Sequence, residues 1–520
     1  MRRTFPLLAA AVALPLAAQR PPGPDPAKAF FARNEVVAVQ VQLAPGSREK
    51  LREKPREYAP ATLRLGDIEF AGAGVKLKGA AGSFRPVDER PGFTVHLGKF
   101  GGTQRFHGLQ RFHLNNGAQD ETRMCEWIGH DVFTAAGHPA PRVAHARVRL
   151  DDQDHGLYVL REAFDRQFLE RVFGTTSGNL YDGGFCQDLD APLEKDSGDG
   201  PDDRSDLQAL HDACAGIDRD RQAALAAVID LDAFLDFIAI ERMLGHWDGY
   251  SVNRNNFRLW LPTGGLARFL PHGMDQLFGD AEATVLDHPP SIAASAVLQQ
   301  PALRKRFRER LKALVPLFAP TRLVPRVEKV AARLQHELRD DPAAAQAYAD
   351  AVAGLLAGIA SRHESLQKQV RAPEPKPLSL APGKTLALKT WNPSAETDDV
   401  ELARKGFQGM PSLLVRSVGK GDAERHGVWR THLLLAQGRY ALRAIARCED
   451  VAAGEHGGVF AQVDDATSER LTGDRNWDTL RCEFEVAEFQ RTVEFTLHLH
   501  TIAGTAWFRT DSLLLERLPD

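Results

Sequence analysis

The sequence lacks most of the features that would assign it to a specialised class of protein. It has five cysteines in 520 residues, an odd and sparse set that excludes a disulfide framework, and no CxxC cluster that would indicate structural zinc. Its formal charge of −4 gives no large basic field, so we expect no nucleic-acid partner. Beyond the N-terminus no run approaches ~18 unbroken apolar residues, so we expect no membrane span in the mature chain. Hydrophobic content of 43% and charged content of 26% indicate a globular protein.

Short sequence motifs for common enzyme classes are also missing. Neither G-x-x-x-x-G-K-[ST] nor G-x-G-x-x-G occurs, so the sequence has no phosphate-binding loop of either familiar type. G-x-S-x-G is absent too, which gives serine-nucleophile chemistry no support. Any enzymatic function must therefore be argued from other residues.

The N-terminus has the layout of a secretory signal peptide. Two arginines precede an apolar run over residues 5–18, and a proline-rich stretch follows. We predict a signal peptide over residues 1–19 and a Pro-rich leader over 20–34. The mature chain is then exported to the periplasm, the cell surface or the medium. An uncleaved N-terminal anchor is the alternative, because Leu16 is not the small residue that cleavage favours.

The pattern of apolar residues predicts an α+β region followed by an all-β region. From residue 35 to about 114, segments such as VVAVQVQL, ATLRLGDIEF and GFTVHL alternate as strands do. A helix is predicted from Asp120 to Ala136, then a hairpin, and residues 300–370 are mainly helical. The acidic stretch 188–206 is predicted to be a solvated loop, because its spacing does not fit an EF-hand. Prolines cluster in RAPEPKPLSLAPGK, where we place the boundary between domains 35–372 and 373–520.

The second domain consists of short strands separated by turn residues, which is typical of a jelly-roll-type β-sandwich. Trp477, in the polar segment TGDRNWDTLRC, is predicted to be exposed and to stack on a sugar ring of a polysaccharide. Cys448 and Cys482 lie on predicted strands and either pair or remain buried thiols. Three further tryptophans either bind sugar or fill the core: Trp391, Trp429 and Trp507.

One polar stretch, HWDGYSVNRNNFRLW at 246–260, concentrates side chains that are costly to bury without partners. His246, Asp248 and Asn253 have the H-x-D-x-x-x-x-N spacing of a protein-kinase catalytic loop. There the Asp faces the attacking hydroxyl and the carboxamide turns back to a metal on the phosphates. Asp275 ends a predicted strand 27 residues after Asp248, where a kinase needs an oxygen ligand for Mg²⁺.

Several residues around this stretch have more than one interpretation. Asn255 and Asn256 either face the ligand or cap a turn. His246 and His272, with the two aspartates, suggest a zinc site as a rival, although no i, i+4 pair shares a helix. We predict that Trp247 and Trp260 belong to the core.

The sequence resembles the CotH kinase family, named for spore-coat protein H. The resemblance is carried, in family order, by GVKLKGAAGSFR, QRFHGLQRFHLNN, AGHPAPRVAHARVRL, HGLYVLREAFDRQFLERVFG, GNLYDG, HWDGYSVNRNN and PHGMDQLFG. It implies an atypical protein-kinase-like domain over residues 35–372, with an antiparallel β-rich N-lobe and a helical C-lobe. It also implies ATP with Mg²⁺, or alternatively Mn²⁺, and phosphoryl transfer to Ser or Thr of an envelope or secreted protein.

The same resemblance implies roles for individual residues. Asp248 would be the catalytic residue, and the metal ligands would be Asp275, Asn253 and Asn256. The implied ATP-binding residues are Lys78, Gly79, Gly82 and Ser83 in the turn KGAAGS, together with Arg90, Glu126 and Glu162, with Val159 near the adenine.

The sequence also departs from the family. Many relatives carry a Lys pair where Arg90 and Pro91 stand here, and an Arg is not interchangeable with a Lys. The alternative hypothesis is therefore a non-catalytic kinase-like surface protein. Such a protein would bind polysaccharide or a partner protein through its C-terminal sandwich.

Overall fold

The computed structural model describes residues 25–33, 35–216, 221–395, 399–419, 421–454 and 457–519. The predicted signal peptide and the start of the Pro-rich leader lie outside the described residues. Contacts divide the chain into two units. Unit 1 runs to Leu298 and continues from Ala302 to Arg371, and unit 2 begins at Ala372.

Unit 1 begins with a closed barrel, because strands of alternating sequence can all turn their apolar side chains into one interior. The strand order is β1-β2-β3-β4-β5-β7-β6, and β1 pairs with β6 in parallel. Side chains such as Val39, Leu63, Phe93 and Phe112 fill the interior. The elements are α1 (Lys28–Arg33), β1 (Val36–Leu43), α2 (Ser47–Glu53), β2 (Ala59–Leu65), β3 (Ile68–Lys78), β4 (Gly92–His96), β5 (Arg111–Asn115), α3 (Cys125–Ala135), β6 (Val143–Leu150) and β7 (Gln153–Glu162).

Helix α3 begins later than the sequence pattern predicts. The carboxylate of Asp120 accepts the N–H of Cys125 at 2.8 Å and the hydroxyl of Thr122 at 2.6 Å. These bonds stabilise a turn ahead of the helix, so the residues from Asp120 to Met124 are not helical.

The rest of unit 1 is helical, with one small sheet in the order β11-β10-β8-β9. The predicted acidic loop contains one of its strands, β9. The elements are α4 (Arg166–Phe173), β8 (Gly178–Asp182), β9 (Glu194–Ser197), α5 (Ser205–Ala215), α6 (Arg221–Val228), α7 (Leu231–Met243), α8 (Tyr250–Asn253), β10 (Phe257–Pro262), β11 (Arg268–Pro271), α9 (Ile292–Leu298), α10 (Pro301–Leu314), α11 (Pro320–His336) and α12 (Pro342–Arg371). The predicted α+β character is confirmed.

Among the described residues, α12 alone is long and apolar enough, by length and composition, to cross a membrane. Its buried side chains, among them Leu355, Ile359 and Leu366, belong to the apolar core of unit 1. Its membership of that core gives the helix a role that requires no membrane.

A fully buried arginine on α12 organises the helical part. Arg362 donates to the carbonyls of Arg242, Met243, Ala281 and Ala283 at 2.5 to 3.1 Å. Two of these carbonyls end α7, where a positive charge is favourable beside the helix dipole. One side chain thus ties α12 to the end of α7 and to the segment around residue 282.

Unit 2 is built on two very long paired strands. The path is β14-β15-β20-β16-β19-β17-β18, with β12, β13 and β21 attached at its sides. The strands are β12 (Thr385–Ala387), β13 (Asn392–Ala395), β14 (Val400–Arg404), β15 (Ser412–Ser417), β16 (Arg425–Ala452), β17 (Gly458–Val463), β18 (Ala466–Thr467), β19 (Gly473–Thr501), β20 (Ala503–Arg509) and β21 (Leu514–Arg517).

The sequence predicts separate strands where β16 and β19 are each continuous, so that prediction was wrong. The predicted break in β16 is a register shift between Ala436 and Gly438, not a turn. Gly438 has a φ of 148°, and a Cβ there would overlap the guanidinium of Arg517. The glycine therefore allows an irregularity within the strand, which leaves the pairing with β19 intact on both sides.

The hypothesis of a disulfide between Cys448 and Cys482 was wrong, since both are free, buried thiols. In the register of β16 with β19, Cys482 lies opposite Leu442, six residues from Cys448. At ~3.3 Å per residue this separation is roughly 20 Å, beyond the ~7 Å reach of a disulfide.

We expect Arg362→Ala to lower the free energy of unfolding by ~3 kcal/mol or more, because it leaves four buried carbonyls without their donor. Lys368→Ala, at an exposed position of the same helix, is the matched control and should change it by less than ~0.5 kcal/mol. Thermal and denaturant unfolding of both variants measure the difference. Equal effects would contradict the role assigned to Arg362.

Candidate functional site

Two loops of unit 1 meet because of the pairing of β10 with β11. We call residues 246–256 the Asp248 loop and residues 272–276 the Asp275 loop. Phe257 pairs with Pro271, so Asn256 and His272 are neighbours, and the N–H of His272 donates to the carbonyl of Asn256 at 3.1 Å. His246 adds a second link, because its Nε2 donates to the carbonyl of His272 at 3.0 Å.

Three asparagine side chains in the Asp248 loop converge on one carboxylate. Asn253 donates to Oδ1 of Asp248 at 2.6 Å, and Asn255 and Asn256 donate to Oδ2 at 3.1 and 2.7 Å. A carboxylate has about four acceptor positions, so one position on Oδ1 stays open. The three asparagines of the polar stretch 246–260 thus act as hydrogen-bond donors to the single carboxylate of Asp248.

The backbone of both loops supports this arrangement. Glu241 accepts the N–H groups of Tyr250 and Ser251 at 2.7 and 2.8 Å, which fixes the start of the single-turn helix α8 and so the position of Asn253 at its end. Gly273 has a φ of 57°, and a Cβ there would lie 2.2 Å from Oδ1 of Asn256. Only glycine allows the two loops to approach this closely.

A chain of polar contacts crosses the floor of the site from β3 to α3. Lys78, the last residue of β3, donates to Oδ1 of Asn115, and Nδ2 of Asn115 donates to Oε1 of Glu126 at 2.6 Å. The other oxygen of Glu126 lies 3.7 Å from Nε of Arg161. Burial, followed by the nearby Arg161, lowers the pKa of Lys78 to about 8, while Glu126 and Asp275 oppose the change.

Asp275 lies in an environment that disfavours its charged form. Burial, followed by the nearby carboxylate of Glu126, raises the pKa of Asp275 to about 7, and Asp120 acts in the same direction. A divalent cation would relieve this repulsion. The oxygens of Asp275, Asn253 and Asn256 are the hard ligands that Mg²⁺ prefers, so the residues present fit such an ion.

Zinc fits less well. Within the described ranges, no group of three or more His, Cys, Asp or Glu side chains is arranged to hold a metal. His246 uses its Nε2 for the carbonyl of His272, as described above, and Nδ1 of His272 contacts Arg161 at 2.7 Å. Both histidines therefore have structural partners.

The two loops and the floor surround a cavity of about 830 Å³. Asp248 and Asp275, 27 residues apart in the chain, both line it. Of the residues singled out from the sequence, the lining includes Lys78, Gly79, Ser83, Glu126, Val159, His246, Asp248, Asn253, Asn255, Asn256, His272 and Asp275. The volume lies in the range of small-molecule sites.

Two residues with implied ATP-binding roles have other partners. Arg90 lies over the ring of Tyr158, 5.2 Å from its centroid, and does not line the cavity. Glu162 accepts hydrogen bonds from Arg142 and Arg171 at 2.7 and 2.6 Å, and it also lies outside the lining. Each is held in a contact that an ATP-binding role would have to break.

The turn 78–83 borders the cavity except at Gly82, which faces Gln119: a Cβ there would lie 2.6 Å from that side chain. The hydroxyl of Ser83 accepts the N–H of Ala80 at 3.2 Å, so it stabilises the turn. Gly82 and Ser83 therefore both shape the turn.

The tryptophans differ from their predictions in part. Trp260 is buried as predicted, whereas Trp247 is 54% exposed at the cavity, so its predicted core position was wrong. Trp477 lies within β19, not in a loop, and is half-buried with its ring edge-on to Phe407 at 6.0 Å. The other three of unit 2 are buried: Trp391, Trp429 and Trp507.

Asn115 and Arg161 were missed from the sequence. Both are polar residues on barrel strands, and nothing local marks them, because their roles depend on a contact with α3. The only sequence feature that could have indicated Asn115 is its place at the end of a strand. Asn115 ends β5 directly before the loop to α3, as Lys78 ends β3.

A closed barrel joined to a helical body, with a cavity of carboxylates, carboxamides and one lysine, defines an α+β protein with a site for a charged ligand. The family model described as "CotH kinase protein" matches residues 82–371, more than half of the chain. The chain belongs to this family.

One curated relative and several solved structures each match part of the chain. Spore coat protein homolog 1 of Rhizopus delemar is 23% identical over 231 residues, which are 39% of this chain and 38% of that protein. The chain thus spans well under half of that relative.

TmCBM61 in complex with beta-1,4-galactotriose covers 24% of this chain and 88% of its own, at 12% identity and a TM-score of 0.19. The CBM22-1 xylan-binding domain from Paenibacillus barcinonensis Xyn10C covers 27% and 99%, at 9% identity and a TM-score of 0.18. At these TM-scores the likeness carries no conclusion about this chain.

The raised pKa of Asp275 predicts how stability changes with pH in metal-free protein. Its folded-state pKa of about 7 exceeds the ordinary value of 3.8, so its contribution to stability is lost as pH rises through 7. Asp275→Asn removes this loss. The unfolding free energy of the variant minus that of the parent should therefore rise by roughly 4 kcal/mol between pH 4 and pH 8.

Denaturant unfolding in EDTA across this pH range measures that difference. Asp340→Asn, at an exposed position, is the matched control and should give a flat difference. A flat profile for Asp275→Asn as well would contradict the assigned environment.

Proposed function

We propose that this protein transfers the γ-phosphoryl group of Mg-ATP to the hydroxyl of a Ser or Thr in a protein acceptor. The observation that supports the proposal is the meeting of Asp248, Asp275 and Lys78 around one cavity. Family membership adds to it. On this proposal, the barrel is the N-lobe and the helical body the C-lobe of a kinase-like domain.

Asp248 acts as the base on this proposal. The open acceptor position on its Oδ1 takes the proton of the acceptor hydroxyl, whose oxygen forms a bond to the γ-phosphorus while the bond to the ADP oxygen breaks. The three carboxamides hold the carboxylate in one orientation, so no reorientation is needed in the reaction. General-base action of this kind contributes ~100-fold or more.

Lys78 provides the cation for the phosphates. Its pKa of about 8 leaves most of it charged at pH 7, and its contact with Asn115 fixes the ammonium at the cavity floor. Lys78 lines the cavity and can supply the positive charge for the phosphates, whereas Arg90 lies outside the lining. It favours the catalytic hypothesis over the non-catalytic alternative.

Mg²⁺, or alternatively Mn²⁺, would be held by Asp275, Asn253 and Asn256, and when bound it would neutralise charge on the phosphates. Val159 lines the cavity, and on this proposal it contacts the adenine. Glu126 positions Lys78 through Asn115, so its role is indirect.

We expect the intact chain to transfer labelled phosphate from Mg-ATP to itself or to a Ser-rich protein. Asp248→Asn should lower kcat by ~100-fold or more because it removes the base, and Asp275→Asn should abolish metal-dependent ATP binding. Asp340→Asn, at an exposed residue outside the cavity lining, should keep full activity. Full transfer by Asp248→Asn would contradict the assigned base.

Thermal shifts separate this function from the non-catalytic alternative. Mg-ATP at 100 times its dissociation constant should add about 2.7 kcal/mol to the stability of the parent chain. A shift without transfer to any acceptor would favour a nucleotide-binding pseudokinase. The absence of a shift at millimolar Mg-ATP would favour a surface protein without nucleotide.

We also propose that the protein is exported, on the strength of its N-terminal sequence. Expression with a functional secretion system should yield a mature chain beginning near Gln19 or Arg20, which mass spectrometry of the secreted or periplasmic fraction would identify. A full-length chain retained in the cytoplasm would contradict it. Polysaccharide binding through Trp477 stays a prediction.

A further inference from the structure

A second cavity of about 500 Å³ lies against α3, on a different face from the site described above. Glu126 of α3 borders the catalytic cavity, and the next residue, Trp127, borders this second one. No residue lines both cavities. We call the second cavity the α3 rear cavity.

The α3 rear cavity carries a net positive charge. Asp131 of α3 is almost buried, and its carboxylate accepts hydrogen bonds from two arginines of α11, Arg322 at 2.7 Å and Arg326. Two guanidinium groups thus face one carboxylate. Arg326 is half-exposed, so most of its five N–H donors remain available to a ligand.

These arginines are already positioned. Asp131 holds both guanidinium groups, Arg322 also donates to a main-chain carbonyl at 3.0 Å, and Arg326 lies 5.9 Å from the ring of Trp127. Fixed side chains lose little conformational entropy when a ligand binds. The planar fork of an Arg suits the oxygens of a phosphate.

The remaining wall is mainly apolar, with His130 and Thr134 as its polar members. Phe31 of α1, Trp127 and Val143 line it beside the arginines. A ligand that fits therefore combines a multiply charged oxyanion with an apolar body. An inorganic ion alone would leave the apolar wall in contact with water.

We propose that the α3 rear cavity binds a phosphate monoester of an aromatic or apolar group, with Arg322 and Arg326 on the phosphate and Trp127 and Phe31 on the apolar part. Two sources share this chemistry: a phosphorylated side chain of a polypeptide and a small phosphate ester. Because α3 carries Glu126 on its other side, a bound ligand restrains the helix that positions Lys78. This last consequence rests on the proposed function; the binding itself does not.

Titration of the intact chain with phenyl phosphate tests the proposal. We expect saturable binding, a dissociation constant raised at least ten-fold by Arg326→Ala, and no change in Lys78→Met, which alters only the catalytic cavity. Lys329→Ala removes a positive charge from an exposed position of the same helix and is the matched control. It should bind as the parent does.

Several results would overturn the proposal. Equal weakening by Lys329→Ala would show general attraction, and loss in Lys78→Met alone would place the ligand in the catalytic cavity. If benzoate binds as tightly as phenyl phosphate, the preference for phosphate is refuted. If phenyl phosphate does not bind at millimolar concentration, the site itself is refuted. A phosphotyrosine peptide that binds ten-fold tighter than phenyl phosphate would identify a polypeptide source, and equal binding a small ester; either result supports the site.

The consequence for α3 has its own measurement. Saturating phenyl phosphate should lower the Mg-ATP dissociation constant at least two-fold in the parent and leave it unchanged in Arg326→Ala. If Mg-ATP does not bind at all, the proposed function fails while phenyl phosphate binding still tests the rear cavity. If both ligands bind without affecting each other, the coupling through α3 is refuted.

Discussion

The site depends on one carboxylate and the three carboxamides that hold it. Asp248 is half-buried, and a charged group removed from water must find donors or lose its charge. Asn253, Asn255 and Asn256 supply those donors at 2.6 to 3.1 Å. An asparagine donates without bringing a positive charge, so the carboxylate keeps its negative charge for a ligand. An arginine in the same place would have neutralised it. On the proposed function, the use of amides in place of cations leaves this carboxylate available to a proton or a metal ion.

The register of β10 with β11 positions the second carboxylate, Asp275, beside the Asp248 loop. Pairing of Phe257 with Pro271 sets the Asp248 loop beside the Asp275 loop, and a slip by one residue would turn alternate side chains to the opposite face. Arg362 reinforces this from the other side, since it joins the end of α7, just before the Asp248 loop, to carbonyls just after the Asp275 loop. A buried cation outside the cavity lining thus helps to fix the positions of two carboxylates within it. Stability and site geometry share the same contacts.

Spacing along the chain was enough to predict that Asp248, Asn253 and Asp275 lie at one cavity, because each belongs to a short loop with a recognisable local pattern. The same reasoning missed Asn115 and Arg161, whose roles depend on α3 approaching the barrel. It also gave Arg90 and Glu162 binding roles that their contacts with Tyr158, Arg142 and Arg171 do not favour. Alternation located most strands, yet it could not distinguish the irregularity at Gly438 from a turn, since a glycine between apolar runs is typical of both. Long-range pairing decides such cases, and a single sequence does not contain it.

Charge balance inside the cavity connects these observations. Burial and the nearby carboxylates of Glu126 and Asp120 raise the pKa of Asp275, while burial and the nearby guanidinium of Arg161 lower the pKa of Lys78. Asp275 is therefore destabilised in its charged form by neighbouring carboxylates, and Lys78 by a neighbouring cation, although groups of opposite charge also lie nearby. Burying such a set without full compensation costs stability, and a core of apolar residues of the same volume would fold as well or better. A ligand that carries both a divalent cation and a polyphosphate would relieve both strains at once, the cation at Asp275 and the phosphates at Lys78. On the proposed function, the arrangement is better explained by binding of such a ligand than by a contribution to folding.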